Sequence, residues 1–407
     1  GALDVGASTI NEAMKQAAVN AIAGLARETP SDVVARAYGG EARLFGKDSL
    51  IPAPFDPRLI LRVAPAVAKA AMESGVATRP IADFDAYEER LGRFVFRSGF
   101  VMRQIFAAAK KAPKRVIYAD GEDERVLRAA EVVLEEGIAK PILIGRPAVI
   151  ETRLKRYGLT IRPGSDFDIV NPDDDPRYKE YVQTYVEVAG RRGITPDAAR
   201  TLVRTSTTAI AALALRRGEA DAMICGLEGR YRAKLRHIRD IVGLAPGARE
   251  FAAMSLMITT RGVVFLTDTH VQAEPSAEAM ADTVLMCAAH VERFGIKPKV
   301  ALVAHSDFGD FDTPVTLRMR QALAMIHARA PQLEIDGEMQ ADTALIEAVR
   351  NRKLPSSTLK GEANLLVMPG LTSANVAYQI MKVFGDALPV GPILLGTALP
   401  AHILTGS

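Results

Sequence analysis

Four carboxylates, Asp120, Glu122, Asp123 and Glu124, stand beside Arg125 in the stretch VIYADGEDERVLRAAEVVLEEGIAKPILIG, residues 116–145. Three chemistries are open to such a cluster: ligation of a divalent cation, a general acid and base pair, or satisfaction of the free N–H groups at a helix start. The residues that follow order these expectations. Val126, Leu127, Ala130, Val133 and Leu134 fall on one helical face, and Gly137 supplies a stop. The spacing therefore predicts that residues 120–124 sit at a helix N-terminus. There each carboxylate opposes the positive end of the dipole, worth roughly 0.3–1 kcal/mol. A metal site would need further oxygen ligands from elsewhere in the chain.

Other residue pairs invite the same weighing. His305 beside Ser306 could be a base next to a hydroxyl, or a loop histidine near a ligand. Cys287 and His290 lie in a helical pattern without two further ligands, which reads as core packing, and the six histidines show no metal spacing. GGEARLFGKDS, residues 39–49, resembles a phosphate loop, but Gly40 and Gly46 are one residue too far apart and Asp48 replaces Ser or Thr. The basic run Arg230, Arg232, Lys234, Arg236 and Arg239 could meet phosphates. At even spacing along a helix its members splay over several faces, so much of it reads as solvated surface.

Positioning any of these requires a large fold, and 407 residues with 48% apolar and 24% charged side chains can supply one. A net charge of +3 is too weak for an electrostatically driven nucleic-acid binder. Cys225 and Cys287 make no disulfide framework, which fits a reducing, cytoplasmic setting. No apolar run reaches membrane-spanning length and no signal-peptide pattern opens the chain. The opening GALDVGAS, without Met, reads as the interior of something longer.

Residues 1–93 are helical or loop-like. TINEAMKQAAVNAIAGLARE places Ile10, Met14, Ala17, Ala18 and Ile22 on one face, with Thr9 as N-cap and Glu12 three residues on. An Ala-rich helix ends at Gly75, and a further helical pattern spans Phe84 to Lys111. After Lys111 short apolar runs alternate with amphipathic stretches. RVIYAD, PILIG, DAMICG, GVVFLTDT, KVALVAHS, NLLVMPG and GPILLG are strand candidates, with helices expected at Ala198–Arg217, Ala277–Phe294 and Thr316–Ala330. This alternation predicts an α/β fold, a largely parallel sheet covered by helices, with ligands at the carboxyl ends of the strands.

The order of motifs is also familiar. DGEDERVLRAAEVVLEEGIAKPILIG, RRGITPDAAR, GEADAMICG, FLTDTHVQAEPSAEAMADTV, LEIDGEMQADTAL, GEANLLVMPGLTSANVAYQIMKVF and GPILLGTALP closely resemble the phosphate acetyltransferases (phosphotransacetylases). The resemblance runs through nearly all of residues 112–407. It implies a two-lobed phosphotransacetylase-like domain with a cleft, residues 94–407, lacking the family's last helix. The leading part, residues 1–93, resembles the end of a malic enzyme nucleotide-binding domain. Both resemblances in this order imply the long bacterial malic enzyme, usually NADP-dependent. Its catalytic residues, its metal-binding acids and its dinucleotide loop all lie upstream of this chain, so the chain as given should not decarboxylate malate.

Active phosphotransacetylases carry a Ser–Arg pair in an LSRG-like motif. Thr405 and Gly406 stand where that pair belongs, so the expected phosphate fork is missing. LEGRYRAKLRHIRD replaces a His- and Thr-rich stretch, and Gln272 replaces the family's usual Asn. The resemblance thus implies a retained fold with degraded chemistry, a regulatory acetyl-CoA-binding module and a homodimer or higher oligomer. An active acetyltransferase and a purely structural domain are the alternatives. Ligand-binding candidates are Ser306, Gly309, Asp336, Glu338, Asn364, Asn375, Arg230, Arg232 and Thr405, although Asp336–Gly337 also reads as a turn and Asn375 as a helix start.

Overall fold

The computed structural model describes residues 1–28, 46, 50–52, 56, 58–259 and 261–405, with the backbone alone at 89, 93–101 and 103–104. The chain divides into two compact units, residues 1–107 with 258–262 and residues 108–257 with 263–407. The sequence reading drew its line at 93/94. In the structure the division falls inside one long helix.

The first unit is helical: α1 (Glu12–Arg27), α2 (Arg58–Glu73) and most of α3 (Phe84–Lys111). Met14 of α1 is buried in a core with Ala64, Ala68, Ala71, Tyr87 and Leu91, and Leu25 is buried as well. The cap of α1 is Asn11, not Thr9: the Asn11 side chain accepts from the Met14 N–H at 3.0 Å. The helix therefore starts two residues later than the pattern suggested, and Ile10 is left outside, exposed. The stretch 39–49 that resembled a phosphate loop lies, apart from Gly46, outside the described residues.

The second unit holds two sheets. Its strands are β1 (Lys114–Tyr118), β2 (Ala139–Ile144), β3 (Asp168–Val170), β4 (Ala222–Cys225), β5 (Ala252–Ile258), β6 (Val263–Thr267), β7 (Lys299–Val303), β8 (Glu334–Met339), β9 (Leu365–Val367), β10 (Leu388–Leu395) and β11 (Ala401–Ile403). One sheet has the order β11-β4-β1-β2-β3, the other β10-β5-β6-β9-β7-β8. Pairing in the first is parallel throughout, as it is for β6–β9, β9–β7 and β7–β8 in the second. Parallel strands need crossovers, and helices supply them: α4 (Glu124–Glu135), α5 (Pro147–Tyr157), α6 (Tyr178–Ala189), α7 (Pro196–Thr205), α8 (Thr207–Arg216), α9 (Tyr231–Ile241), α10 (Ala277–Arg293), α11 (Pro314–Arg329), α12 (Ala341–Leu345), α13 (Glu347–Lys353) and α14 (Leu371–Val383).

The helix expected at Ala198–Arg217 is two helices. Ser206 ends α7 through its N–H, which donates to the Leu202 carbonyl, and starts α8 through its hydroxyl, which accepts from Ala209 N at 3.2 Å. A serine oxygen that caps competes with helix continuation. The core of the first sheet gathers Ile117, Met223 and the almost wholly buried α8, while that of the second gathers Leu266, Ala301, Leu366 and Tyr378. Each sheet thus aims the carboxyl ends of its central strands, β1 and β4 or β6 and β9, at loops that can be specialised.

Candidate functional site

The acidic cluster disperses into separate structural tasks. Asp123 caps α4, accepting from Arg125 N at 2.8 Å and pairing with the Arg125 guanidinium. Glu124 pairs with Arg128 one turn on. Glu122 grips Arg146 through two bonds of 2.9 Å, and that guanidinium holds its carboxyl below the usual range. Asp120 is not part of the helix start. Its Oδ2 accepts from Gly226 N at 3.0 Å and Leu227 N at 3.2 Å, tying the end of β1 to the loop after β4. Among the described residues no three His, Cys, Asp or Glu side chains converge as metal ligands.

The loop after β4 is shaped to bring backbone close to backbone. Gly226 has φ +109°, and a Cβ there would collide with the Leu404 carbonyl oxygen. Leu404 N donates to Cys225 O at 2.7 Å, which seats the end of β11 against the same loop. Two residues past Gly229 (φ +82°), α9 begins with Arg230 at its N-cap and no capping side chain. The first-turn N–H groups of α9 therefore present positive charge to whatever lies in front of them.

The basic run now divides into two sets. Arg236 lies 3.8 Å from Asp240, and Arg239 lies 3.7 Å from Glu250 and covers the Phe251 ring. Arg230, Arg232 and Lys234 form no ion pair with any described residue, and Lys234 folds back so that its Cε lies 3.7 Å from where a Gly229 Cβ would be. A helix N-terminus joined by three unpaired cations and a glycine loop has the make-up of an anion site.

The loop after β6 contributes the residues next to it. Asp268 is buried. Its Oδ1 accepts from His270 N at 2.9 Å and Val271 N at 2.8 Å, its Oδ2 from Gln272 N at 3.2 Å, and burial still pushes its carboxyl up. A hydroxyl chain runs from Ser255 through Thr269 to His270 Nδ1, each step 2.8 Å. The His270 ring lies against Tyr231 of α9, centroids 4.9 Å apart, and meets the edge of Tyr378 of α14 at 6.1 Å. Tyr231 thereby bridges the loops of the two sheets, its buried hydroxyl without a hydrogen-bond partner among the described residues. Gln272 is a tie rather than a ligand: its Nε2 donates to Phe251 O at 2.8 Å and Thr283 Oγ1 at 3.1 Å.

This arrangement is poor in reactive groups. Burial pushes the Cys225 and Cys287 thiols up to about 12, so neither is a thiolate near neutral pH. Burial pushes His270 down to about 4, leaving a neutral ring that accepts a proton weakly.

The residues singled out from the sequence fall into separate places. Arg230 and Arg232 stand at the start of α9. Thr405 follows Leu404 beyond β11, and Gly406 lies outside the described residues. Asn375, in the first turns of α14, donates to Thr269 O at 3.4 Å. Ser306, Gly309 and Glu338 do come together, but as an internal knot at the ends of β7 and β8: Ser306 Oγ and Gly309 N both donate to Glu338 Oε1, at 2.8 and 2.9 Å. Ser306 and Glu338 are wholly buried, and Arg320 Nε lies 3.4 Å from Glu338 Oε2. Ser306 therefore has no base in His305, whose exposed ring lies against Phe311 instead. Asp336 is held by Ser357 Oγ at 2.6 Å and Thr358 N at 3.1 Å. Asn364 precedes β9, at its amino end, and spends its side chain on Lys299 N and Lys297 O, both at 2.8 Å. Sequence reasoning missed Tyr231, His270 and Tyr378. Their signal was three rings, His270 in the loop after β6, Tyr231 at the first position of α9 and Tyr378 within α14, which meet only in the fold.

Residues 100–407 match the family described as phosphate acetyl/butaryl transferase. Over its full length the chain is 63% identical to the NAD-dependent malic enzyme of Rhizobium meliloti and 51% identical to the NADP-dependent malic enzyme of Escherichia coli, covering 53% and 54% of those proteins. It thus spans about half the length of these curated relatives. The phosphate acetyltransferase of Paracoccus denitrificans is 34% identical over 74% of this chain and 92% of its own length. Among solved structures, a phosphotransacetylase from Streptococcus pyogenes superposes with a TM-score of 0.69 at 27% identity, covering 74% of this chain and 92% of its own. The EutD phosphotransacetylase from Staphylococcus aureus gives 0.68 at 25%, covering 75% and 93%. By the extent of these matches, the chain belongs to the phosphate acetyl/butaryl transferase family and corresponds to the phosphotransacetylase-like part of bacterial malic enzymes.

Proposed function

We propose that this chain is a regulatory module that binds acetyl-CoA at the start of α9 without transferring its acetyl group. The observation that carries the reading is the set of three cations, Arg230, Arg232 and Lys234, unpaired among the described residues and carried by the N-cap and first turn of an uncapped helix that follows the Gly226–Gly229 loop. Coenzyme A offers that site a run of phosphates, and forked guanidinium donors suit them.

Transfer needs more than a grip on phosphate: an aligned nucleophile or base, and donors placed for the developing oxyanion. On the family resemblance, Thr405 and Gly406 stand where active members carry a Ser–Arg pair. The buried thiols and the neutral His270 do not replace them. The bound effector would act on a malic enzyme catalytic half preceding this chain, where malate oxidation, the nicotinamide nucleotide and the divalent metal belong. Coupling of that kind is typically about 1–3 kcal/mol, a several-fold change in affinity.

The test is a melting series with acetyl-CoA, coenzyme A or acetyl phosphate added. Ligand at about a hundred times Kd should stabilise by roughly 2.7 kcal/mol. The reading expects saturable stabilisation by acetyl-CoA and no consumption of thiol when coenzyme A and acetyl phosphate are mixed with the protein. Thiol consumption at an enzyme-like rate would instead establish an active transferase. No stabilisation at millimolar acetyl-CoA would refute the binding site.

A further inference from the structure

A cavity of about 640 Å³, within the range of small-molecule sites, lies in the first unit. Its walls are Asp4 of the opening turn, residues 79–83 and the first two turns of α3. Backbone pairing holds these segments together: Thr78 N and Arg79 N both donate to Val5 O, at 3.0 and 2.9 Å. Arg79 Nη2 donates to Leu3 O at 2.9 Å, which anchors one corner of its guanidinium at the cavity. The Arg90 guanidinium lies 5.3 Å from the centre of the Tyr87 ring. Tyr87 is buried, so that ring is a fixed platform for the charge.

Neither arginine forms an ion pair with any described residue. The carboxylates that face the same cavity are engaged elsewhere. Asp4 Oδ2 accepts from the Tyr87 hydroxyl, and Asp83 Oδ1 accepts from Ala86 N at 3.0 Å at the start of α3. Arg90 acts on Asp4 only through its field. Pro80 and Ile81 add an apolar wall. Forked guanidinium donors suit a phosphate group, and an apolar wall beside them suits a carbon body attached to it.

We infer that this cavity binds a small organic phosphate, its phosphate group on Arg79 and Arg90 and its carbon body on Pro80 and Ile81. The inference does not depend on acetyl-CoA binding at α9. Its experiment is isothermal titration of the full chain with phenyl phosphate, phenylacetate and inorganic phosphate, each to about 10 mM. Phenyl phosphate binds saturably, about tenfold tighter than inorganic phosphate, which has nothing to lay on the apolar wall. It also binds more tightly than phenylacetate, which offers the arginines a single negative charge. Arg90→Gln changes an exposed side chain and folds as the wild type does, by circular dichroism and melting, yet weakens phenyl phosphate about tenfold or more. Arg79→Gln does the same. The titration is repeated in the Arg230→Gln/Arg232→Gln/Lys234→Gln background, where phenyl phosphate still binds, so that failure of the α9 reading and failure of this one are told apart. No saturable binding of phenyl phosphate in that background, or binding indifferent to both Arg79→Gln and Arg90→Gln, overturns the site. Phenylacetate binding as tightly as phenyl phosphate overturns the assignment of a phosphate.

Discussion

Arg350 is a fully buried guanidinium on α13 that meets carbonyls rather than a carboxylate. Nη1 donates to Thr343 O at 3.1 Å and Ala344 O at 3.3 Å, and Nη2 to Leu359 O at 3.1 Å and Gly361 O at 2.5 Å. One side chain thus ties α12 to the loop before β9, and that loop continues into Ser357 and Thr358, which hold Asp336. Arg350→Met keeps much of the volume and removes every donor. Ala344 O keeps its bond from Ala363 N, and each buried carbonyl left unpaired costs about 1–3 kcal/mol. The four losses share one group and do not add, and removing a buried charge returns part of its desolvation. A net destabilisation of about 3–5 kcal/mol follows, or roughly 6–10 °C in Tm for a domain of this size. Differential scanning calorimetry of the wild type, Arg350→Met and Arg350→Lys reads it directly, with lysine recovering only part because it cannot reach carbonyls on two sides. Hydrogen exchange at Leu359–Gly361 should rise in parallel. A change below about 2 °C for Arg350→Met would refute the clamp.

Gly226→Ala should cost several kcal/mol, on the order of 3, because it combines a left-handed backbone with a collision at Leu404; chemical denaturation measures it. Asp120→Ala strands two N–H groups of the same loop at about 1–3 kcal/mol and should also weaken acetyl-CoA binding, which Asp120→Asn, keeping an acceptor oxygen, should do less. Glu338→Ala should destabilise by about 1–3 kcal/mol while leaving acetyl-CoA affinity within about twofold, because Ser306 and Gly309 lose their shared acceptor within the knot while Arg320 keeps Asp312. Burial depresses His270 and His402 to about 4, below their unfolded range near 6.5, so the unfolded chain binds more protons between those values and stability falls as pH drops from about 6.5 towards 4. Asp268, raised by burial, works in the opposite sense at the acidic end. Replacing both histidines with glutamine should flatten the slope of Tm against pH across that window.

Much of this fold was legible because buried parallel strands are near-continuous apolar runs. All seven strand candidates are strands, and the helical pattern from Phe84 to Lys111 is α3. What was missed has physical causes. β8 reads EIDGEM, with three carboxylates in one strand, and is stable there because Glu334 pairs with Lys297 while Asp336 and Glu338 find hydrogen-bond donors far away in sequence. β3 and β11 are three residues long, too short for a period to show. The acidic cluster was legible as a helix start only for Asp123 and Glu124, since Asp120 is committed by a loop 106 residues later. The sequence directs attention to polar residues that follow strands. A sequence does not say whether such residues face a ligand or one another, and Ser306 with Glu338 face one another. The division of the basic run into paired Arg236 and Arg239 and unpaired Arg230, Arg232 and Lys234 depends on where Asp240 and Glu250 lie, which only the fold decides.

In the proposed function the start of α9 holds the phosphates of acetyl-CoA. Isothermal titration of acetyl-CoA into the wild type and into Arg230→Gln/Lys234→Gln and Arg230→Gln/Arg232→Gln/Lys234→Gln tests it, with Arg236→Gln/Arg239→Gln as the control that removes as many charges from the same helix as the double variant. The account predicts saturable binding to the wild type and the control, and an affinity lower by about 100-fold or more in the triple variant, since each charge-assisted bond is worth about 1.5–3 kcal/mol. Equal affinity in the triple variant and the wild type, with both folded, would contradict it.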